Sequence, residues 1–234
     1  MASRARRPQE SRYFPDPREA GEDGFVGVGG ELDPDWLLDA YAHGIFPWPS
    51  SDEEPLLWWS LDPRAILPLD GLYISRRLGR SLRSGRYRVT ANQDFAGVMR
   101  GCAEGPGRAG GTWITPAMRA AYQELHRLGS AHSVETWDDD RLVGGIYGVA
   151  IGGLFAGESM FHRSNDASKV ALATLVAHLG QRGYRLLDVQ QSTPHTARMG
   201  AVEIRRSEYL DRLAEAVQLP VSFGTLEITP EHWR

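Results

Sequence analysis

Asp188 and Gln190, in the stretch "LLDVQQ", and Glu158, in "GESMF", are the residues whose types and spacing suggest chemistry. If 186–190 is a strand, period-2 alternation sends Leu186, Asp188 and Gln190 to one face and Leu187, Val189 and Gln191 to the other. A carboxylate and a carboxamide then look into the same space. Either both find partners in a buried core, or they face a ligand whose polar groups they orient. Glu158 falls near the end of a neighbouring predicted strand. All three therefore gather where open α/β sheets bind ligands.

The elements that must position these groups follow from local signals. Residues 1–12 read as a polar, Arg-rich flexible tail, and residues 13–70 as a small, loop-rich unit dense in Pro, Gly and Trp. Its one clear helix starts at Asp33–Pro34, with Asp33 as N-cap, and stops before Gly44. From residue 71 to 234 strand and helix signals alternate. A short strand at 87–90 precedes helices at about 93–103 and 116–128, the second capped by Thr115 with Pro116 at its first position. Strands at 133–137, 142–150 and 154–158 follow, the first two joined by the polar turn "DDDR". A helix at about 168–181, the "LLDVQ" strand, a short helix near 196–199, the strand "VEIR" and a helix at 207–217 complete the order β, α, α, β, β, β, α, β, α, β. That order resembles the N-acetyltransferase fold. The expected class is α+β, a small N-terminal domain with an acetyltransferase-like (GNAT-like) mixed-sheet domain.

Two further groupings admit binding. "YISRRLGRSLRSGRYR" carries Arg76, Arg77, Arg80, Arg83, Arg86 and Arg88 without an acidic residue. If Ser75 caps a helix, Arg76, Arg80 and Arg83 share a face, which is either a phosphate-backbone footprint or a solvated surface. Trp48, Trp58, Trp59 and Trp113 stand beside Pro, Gly or Ser in predicted loops, where each can pack on the core or line a pocket for a flat ring. In "GLFAGESMFHRSNDASK" the glycines and the helix that Lys169 opens suit either a ligand's approach or a capping loop.

Other chemistries lack their signatures. "VGVGG" has no third glycine and no βαβ frame, so it reads as a turn. The seven histidines show no zinc spacing, Ser159 lacks a nucleophile elbow, and no metal is expected. A net charge of −4 across 234 residues gives no global sign of nucleic-acid binding. The single Cys102, with no signal-like or membrane-spanning apolar run, points to a cytoplasmic protein without membrane association.

The strings "FPDP", "GGELDPDWLLDAYAHGIFPW", "PLLWWSLDPRAIL", "GTWITPAM", "AHSVETW", "LVGGIYGVAIGGLFAGESMF", "NDASKVAL" and "LLDVQQSTPHTARMGA" together resemble the leucyl/phenylalanyl-tRNA–protein transferase family from about Phe14 to Tyr209. The resemblance implies an enzyme that moves Leu or Phe, less well Met, from its charged tRNA to the N-terminal α-amine of proteins beginning with Arg or Lys, creating an N-degron. The acyl donor is the tRNA ester, so no CoA or other cofactor is implied, and the enzyme is expected to act as a monomer. By motif position the catalytic pair falls on Asp188 and Gln190, with Glu158 in support. Trp48 and Trp113 would receive the terminal adenosine; Ile146, Phe155 and Ser159 would complete the aminoacyl-adenosine pocket; Arg76, Arg77, Arg80 and Arg83 would meet the tRNA backbone. Three departures stand out: Ile146 where the family often has Met, Asp166 in "RSNDASK", and Thr193–Pro194–His195 where Asn-Asp-His is common.

Attack on the ester needs a neutral α-amine, and with a pKa of about 7.7–8.0 roughly a quarter is neutral near pH 7.4. Gln190 can accept a hydrogen bond from that amine without titrating. Asp188 is expected to accept from the Gln190 NH₂ and so to fix the carboxamide; Gln191, on the other face, is expected to be replaceable. Two alternatives share parts of this pattern. A CoA-dependent N-acyltransferase would need a pyrophosphate loop that "HRSNDASK" does not supply, and a non-catalytic tRNA-binding module would leave Asp188, Gln190 and Glu158 without a purpose.

Overall fold

The computed structural model describes residues 10–104 and 112–234; most of the N-terminal tail, residues 1–9, lies outside them, as does Gly111 of "GTW". In the N-terminal part α1 (Pro34–Ala42) begins where the capping signal puts it, the Asp33 carboxylate accepting from the Trp36 N–H at 2.9 Å. Around it lie three short strands, β1 (Phe25–Val28), β2 (Phe46–Pro47) and β3 (Leu57–Trp59), in the order β1-β3-β2. Part of "VGVGG" is therefore strand and not turn: Val28 pairs with Leu57, and only Gly29 and Gly30 take positive φ. Strands of two to four residues lie below what alternation can reveal.

The remaining elements are β4 (Arg64–Ile66), α2 (Arg76–Arg83), β5 (Arg88–Ala91), α3 (Phe95–Ala103), α4 (Pro116–Arg127), β6 (Ala131–Asp138), β7 (Arg141–Ile151), β8 (Leu154–His162), α5 (Ala167–Arg182), β9 (Leu186–Gln190), α6 (Pro194–Arg198), β10 (Val202–Ile204) and α7 (Arg206–Ala216). From β5 onward the element order is the one expected from the sequence, and the fold is α+β. The seven-stranded sheet runs β10-β4-β9-β8-β7-β6-β5; β8 and β9 are parallel and joined through α5, whereas the other neighbouring pairs are antiparallel. β4, from the stretch read as N-terminal unit, is inserted between β9 and β10.

Helices cover both faces. α2 and α5 bury Leu78, Leu82 and Leu172 against Ile146, Phe155 and Leu187. On the other face α1, α3 and α4 pack on Tyr147, Val149, Ala156 and Phe161, and α7 packs on Ile66, Leu154 and Leu186. No helix among the described residues is long and apolar enough to cross a membrane.

Phe155 and Phe161 are both odd-numbered residues of β8, yet they lie in different cores. The parity changes at a bulge: Gly148 pairs with Gly157 and Tyr147 with Ser159, so Glu158 is the extra residue. Gly148 permits the close approach there, since a Cβ on it would stand 2.2 Å from the Ala156 carbonyl oxygen and 2.5 Å from a Phe155 ring carbon. Gly148→Ala is accordingly expected to cost about 1–3 kcal/mol of stability in urea unfolding. An unchanged midpoint would contradict this account of the bulge.

Candidate active site

β9 lies between β8 and β4, with Asp188 opposite Ala156 on one side and Ile66 on the other. Its carboxylate is fully buried, and among the described residues four donors meet it. Arg64 Nε and Nη2 approach Oδ1 and Oδ2 at 3.0 and 2.7 Å, Tyr209 donates its hydroxyl to Oδ2 at 2.7 Å, and the Gln190 backbone N–H donates to Oδ1 at 2.8 Å. Arg64 is itself buried, gives Nη1 to the Gly44 carbonyl at 3.1 Å, and lies over the rings of Phe46 and Tyr209. Burial works against its charge, but Asp188, with Tyr209 and Glu158 adding to it, more than offsets that, and the guanidinium stays protonated. The same burial, with Asp188 alongside, raises the Tyr209 hydroxyl well above its ordinary range, so it remains a donor.

Gln190 departs from strand geometry. Its φ is 60°, a left-handed conformation uncommon for a residue with a Cβ. The Gln191 N–H donates to the Val189 carbonyl at 2.7 Å, closing a three-residue turn around it. Consequently the side chain is not set by simple alternation. Its Nε2 donates to Glu158 Oε1 at 2.8 Å, and not to Asp188 as expected from the sequence. Asp188 holds the Gln190 backbone; Glu158 holds its carboxamide. With one N–H of the NH₂ on Glu158, the carboxamide plane is fixed and its carbonyl oxygen is the acceptor Gln190 can offer a substrate amine.

The bulge turns Glu158 toward α1 and α4. Tyr122 donates to Glu158 Oε2 at 3.4 Å, and the Tyr41 and Tyr122 hydroxyls are hydrogen-bonded to each other. Burial raises the Glu158 carboxyl from its ordinary 4.5 to about 8, with Asp188 adding to the rise, while Tyr41, Arg64 and Tyr122 oppose it. Burial and then Glu158 push both tyrosines upward, so they stay protonated donors. No local signal marks Tyr41, Tyr122, Arg64 or Tyr209 as part of the site; each lies on an element other than the "LLDVQ" strand.

The tryptophans divide. Trp58 is a core residue whose indole N–H donates to the Gly29 carbonyl at 2.7 Å. Trp48, Trp59 and Trp113 instead line, with Pro49, Ser50, Leu57 and Thr112, an open cavity of about 420 Å³. Ile146 and Phe155 are not brought to it; they are packed in the core that α5 covers, while these three tryptophans pack against the other one. Ser159 is half-buried and follows Glu158 directly.

On α2, capped by Ser75, the side chains of Arg76, Arg77, Arg80 and Arg83 are exposed. Arg77 is paired with Asp166 at 2.8 Å, and Lys169 reaches the same carboxylate at 3.6 Å, which gives the Asp of "RSNDASK" a partner. After β9, Thr193 and Thr196 cap α6 reciprocally, each hydroxyl accepting from the other's backbone N–H. This capping box occupies the Thr193–Pro194–His195 segment noted as a departure above.

Because its folded-state pKa is raised, Glu158 retains a proton between about pH 4.5 and 8 that the unfolded chain has lost. Its contribution is complete below that window and is lost as pH rises through it. Glu158→Gln removes the titration, so its stability relative to wild type should increase between about pH 5 and pH 9 in denaturant unfolding. A difference constant with pH would mean that the carboxyl is not held protonated by burial.

Two family models match the chain: "Leucyl/phenylalanyl-tRNA protein transferase" over residues 66–214, and the N-terminal domain of the same family over residues 30–62. Proteins named leucyl/phenylalanyl-tRNA–protein transferase are similar along nearly the whole length. That of Nitratidesulfovibrio vulgaris (strain DP4) is 51% identical over 218 residues, 93% of each chain. That of Magnetococcus marinus is 52% identical over 92% of this chain and 93% of its own, and that of Anaeromyxobacter dehalogenans 52% over 92% of each. The Asp188–Gln190–Glu158 cluster thus sits within the matched region of a chain that belongs to the leucyl/phenylalanyl-tRNA–protein transferase family.

Proposed function

We propose that this chain transfers Leu or Phe from aminoacyl-tRNA to the N-terminal α-amine of proteins that begin with Arg or Lys, and so creates an N-degron. The observation that carries this reading is the Gln190 carboxamide, held by Glu158 with its carbonyl oxygen left to a substrate. Family membership supplies the aminoacyl-tRNA and protein substrates. An acyltransferase acting on a neutral amine needs an acceptor that orients the nucleophile without removing its proton prematurely, and a carboxamide oxygen meets that need.

In the proposed reaction the amine nitrogen attacks the ester carbonyl, a C–N bond forms, and the bond to the ribose 3′ oxygen breaks. One amine proton leaves with that oxygen, the neighbouring 2′-OH carrying it across. Gln190 aligns the amine, Glu158 fixes Gln190, and Asp188 acts on the Gln190 backbone. Proximity then supplies much of the rate. The cavity lined by Trp48, Trp59 and Trp113 offers flat apolar faces for the terminal adenosine, since aromatic stacking accepts a base without requiring its sequence. The resemblance assigns Ile146, Phe155 and Ser159 to the aminoacyl part of the pocket; Ile146 and Phe155 are packed in the core that α5 covers, so that part would lie apart from the tryptophan cavity, and β-branched Ile146 there is stiffer than methionine. Arg76, Arg80 and Arg83 are assigned to the tRNA phosphates, joined by Arg77 through its free edge beside Asp166.

Gln190→Ala tests the central assignment. With Leu-tRNA and an Arg-initiated peptide, the folded variant should transfer leucine about 100-fold more slowly than wild type. Transfer at the wild-type rate contradicts the assignment, and transfer of an acetyl group from acetyl-CoA by the wild-type protein would favour a CoA-dependent acyltransferase.

A further inference from the structure

The Gln190 backbone N–H hydrogen-bonds Asp188, and among the described residues the other donors on that carboxylate come from other elements: Arg64 on β4 and Tyr209 on α7. The planar guanidinium spans both carboxylate oxygens, which fixes the carboxylate plane as well as its charge. Tyr209 binds the same oxygen as Arg64 Nη2, so Oδ1 remains for Arg64 Nε and the Gln190 N–H. A rotated carboxylate would lose the Gln190 N–H, and with it the restraint on a residue at φ 60°. An extended Gln190 would still share a face with Asp188, but its backbone would no longer fix the carboxamide at 2.8 Å from Glu158.

We infer that Arg64 and Tyr209 are positioning residues for the transfer, which orient the Asp188 carboxylate on the Gln190 N–H and thereby hold the left-handed turn that presents the Gln190 carboxamide to Glu158. The inference rests on the assignment of Gln190 as the group that orients the amine. It gives Asp188 a backbone-holding task in place of a link to the Gln190 NH₂, and it makes β4 and α7 part of the site's construction.

The test uses full-length Arg64→Lys and Tyr209→Phe, with Gln190→Ala alongside, assayed with Leu-tRNA and an Arg-initiated peptide. Lysine keeps the charge but cannot span both oxygens, and phenylalanine keeps the ring against Arg64 while removing one donor. The expected result is a kcat lowered about 10–100-fold in Arg64→Lys and about 3–10-fold in Tyr209→Phe, with KM for Leu-tRNA unchanged. Hydrogen exchange at the Gln190 amide should accelerate in both. If Arg64→Lys does not fold, Tyr209→Phe carries the test. Wild-type kcat in the folded variants overturns the inference, as does a lowered kcat with Gln190 protection intact, because the residues would then act by another route. Wild-type kcat in Gln190→Ala overturns instead the assignment of Gln190 itself.

Discussion

The buried ion pair between Arg64 and Asp188 is the constraint on which the rest of the site depends. Both side chains are almost completely excluded from solvent. A charge in such surroundings is tolerable only when paired and hydrogen-bonded on all sides, and removing one partner of a buried pair typically costs about 3–5 kcal/mol. That requirement explains why a three-residue strand from the N-terminal stretch enters the large sheet beside β9. It also explains why α7 brings Tyr209 to the same carboxylate, and why the end of α1 turns the Gly44 carbonyl toward the guanidinium. The N-terminal stretch and α7 are thus bound to β9 by polar contacts as well as by apolar packing.

Around this fixed point the site uses two departures from regular strand geometry. The bulge in β8 aims Glu158 at Tyr41 and Tyr122, and the left-handed turn at Gln190 brings its carboxamide to Glu158. The two departures meet in the 2.8 Å contact between Gln190 Nε2 and Glu158 Oε1. Glu158, lifted to about 8 by burial, remains a hydrogen-bond acceptor for Gln190 while receiving from Tyr122. The arrangement holds the carboxamide from one side only, so that an incoming amine meets an acceptor that cannot take its proton as an ordinary base would.

Much of the architecture is legible in the sequence because it is written in local signals. Asp33, Ser75 and Thr115 each cap the helix that follows them, and the polar turn "DDDR" separates β6 from β7. The D-x-Q spacing and Glu158 are legible for the same reason. Other features depend on residues distant in sequence. Nothing in "DPRAI" distinguishes Arg64 from a surface arginine until β9 lies beside it, and strict alternation conceals both the extra residue in β8 and the turn at Gln190. Expecting Asp188 to bind the Gln190 side chain follows from treating the strand as regular, whereas the turn substitutes the backbone N–H. Among the tryptophans, only burial separates Trp58, a core residue, from Trp48, Trp59 and Trp113, which line a cavity.

The most direct test of the central claim is a high-resolution crystal structure of the protein bound to a non-hydrolysable, amide-linked leucyl-adenosine. The account predicts that Gln190 keeps its positive φ, with its N–H on Asp188, its NH₂ on Glu158 and its carbonyl oxygen facing the space beside the acyl carbon. A Gln190 that relaxes to an extended strand and turns its NH₂ to Asp188 would contradict it.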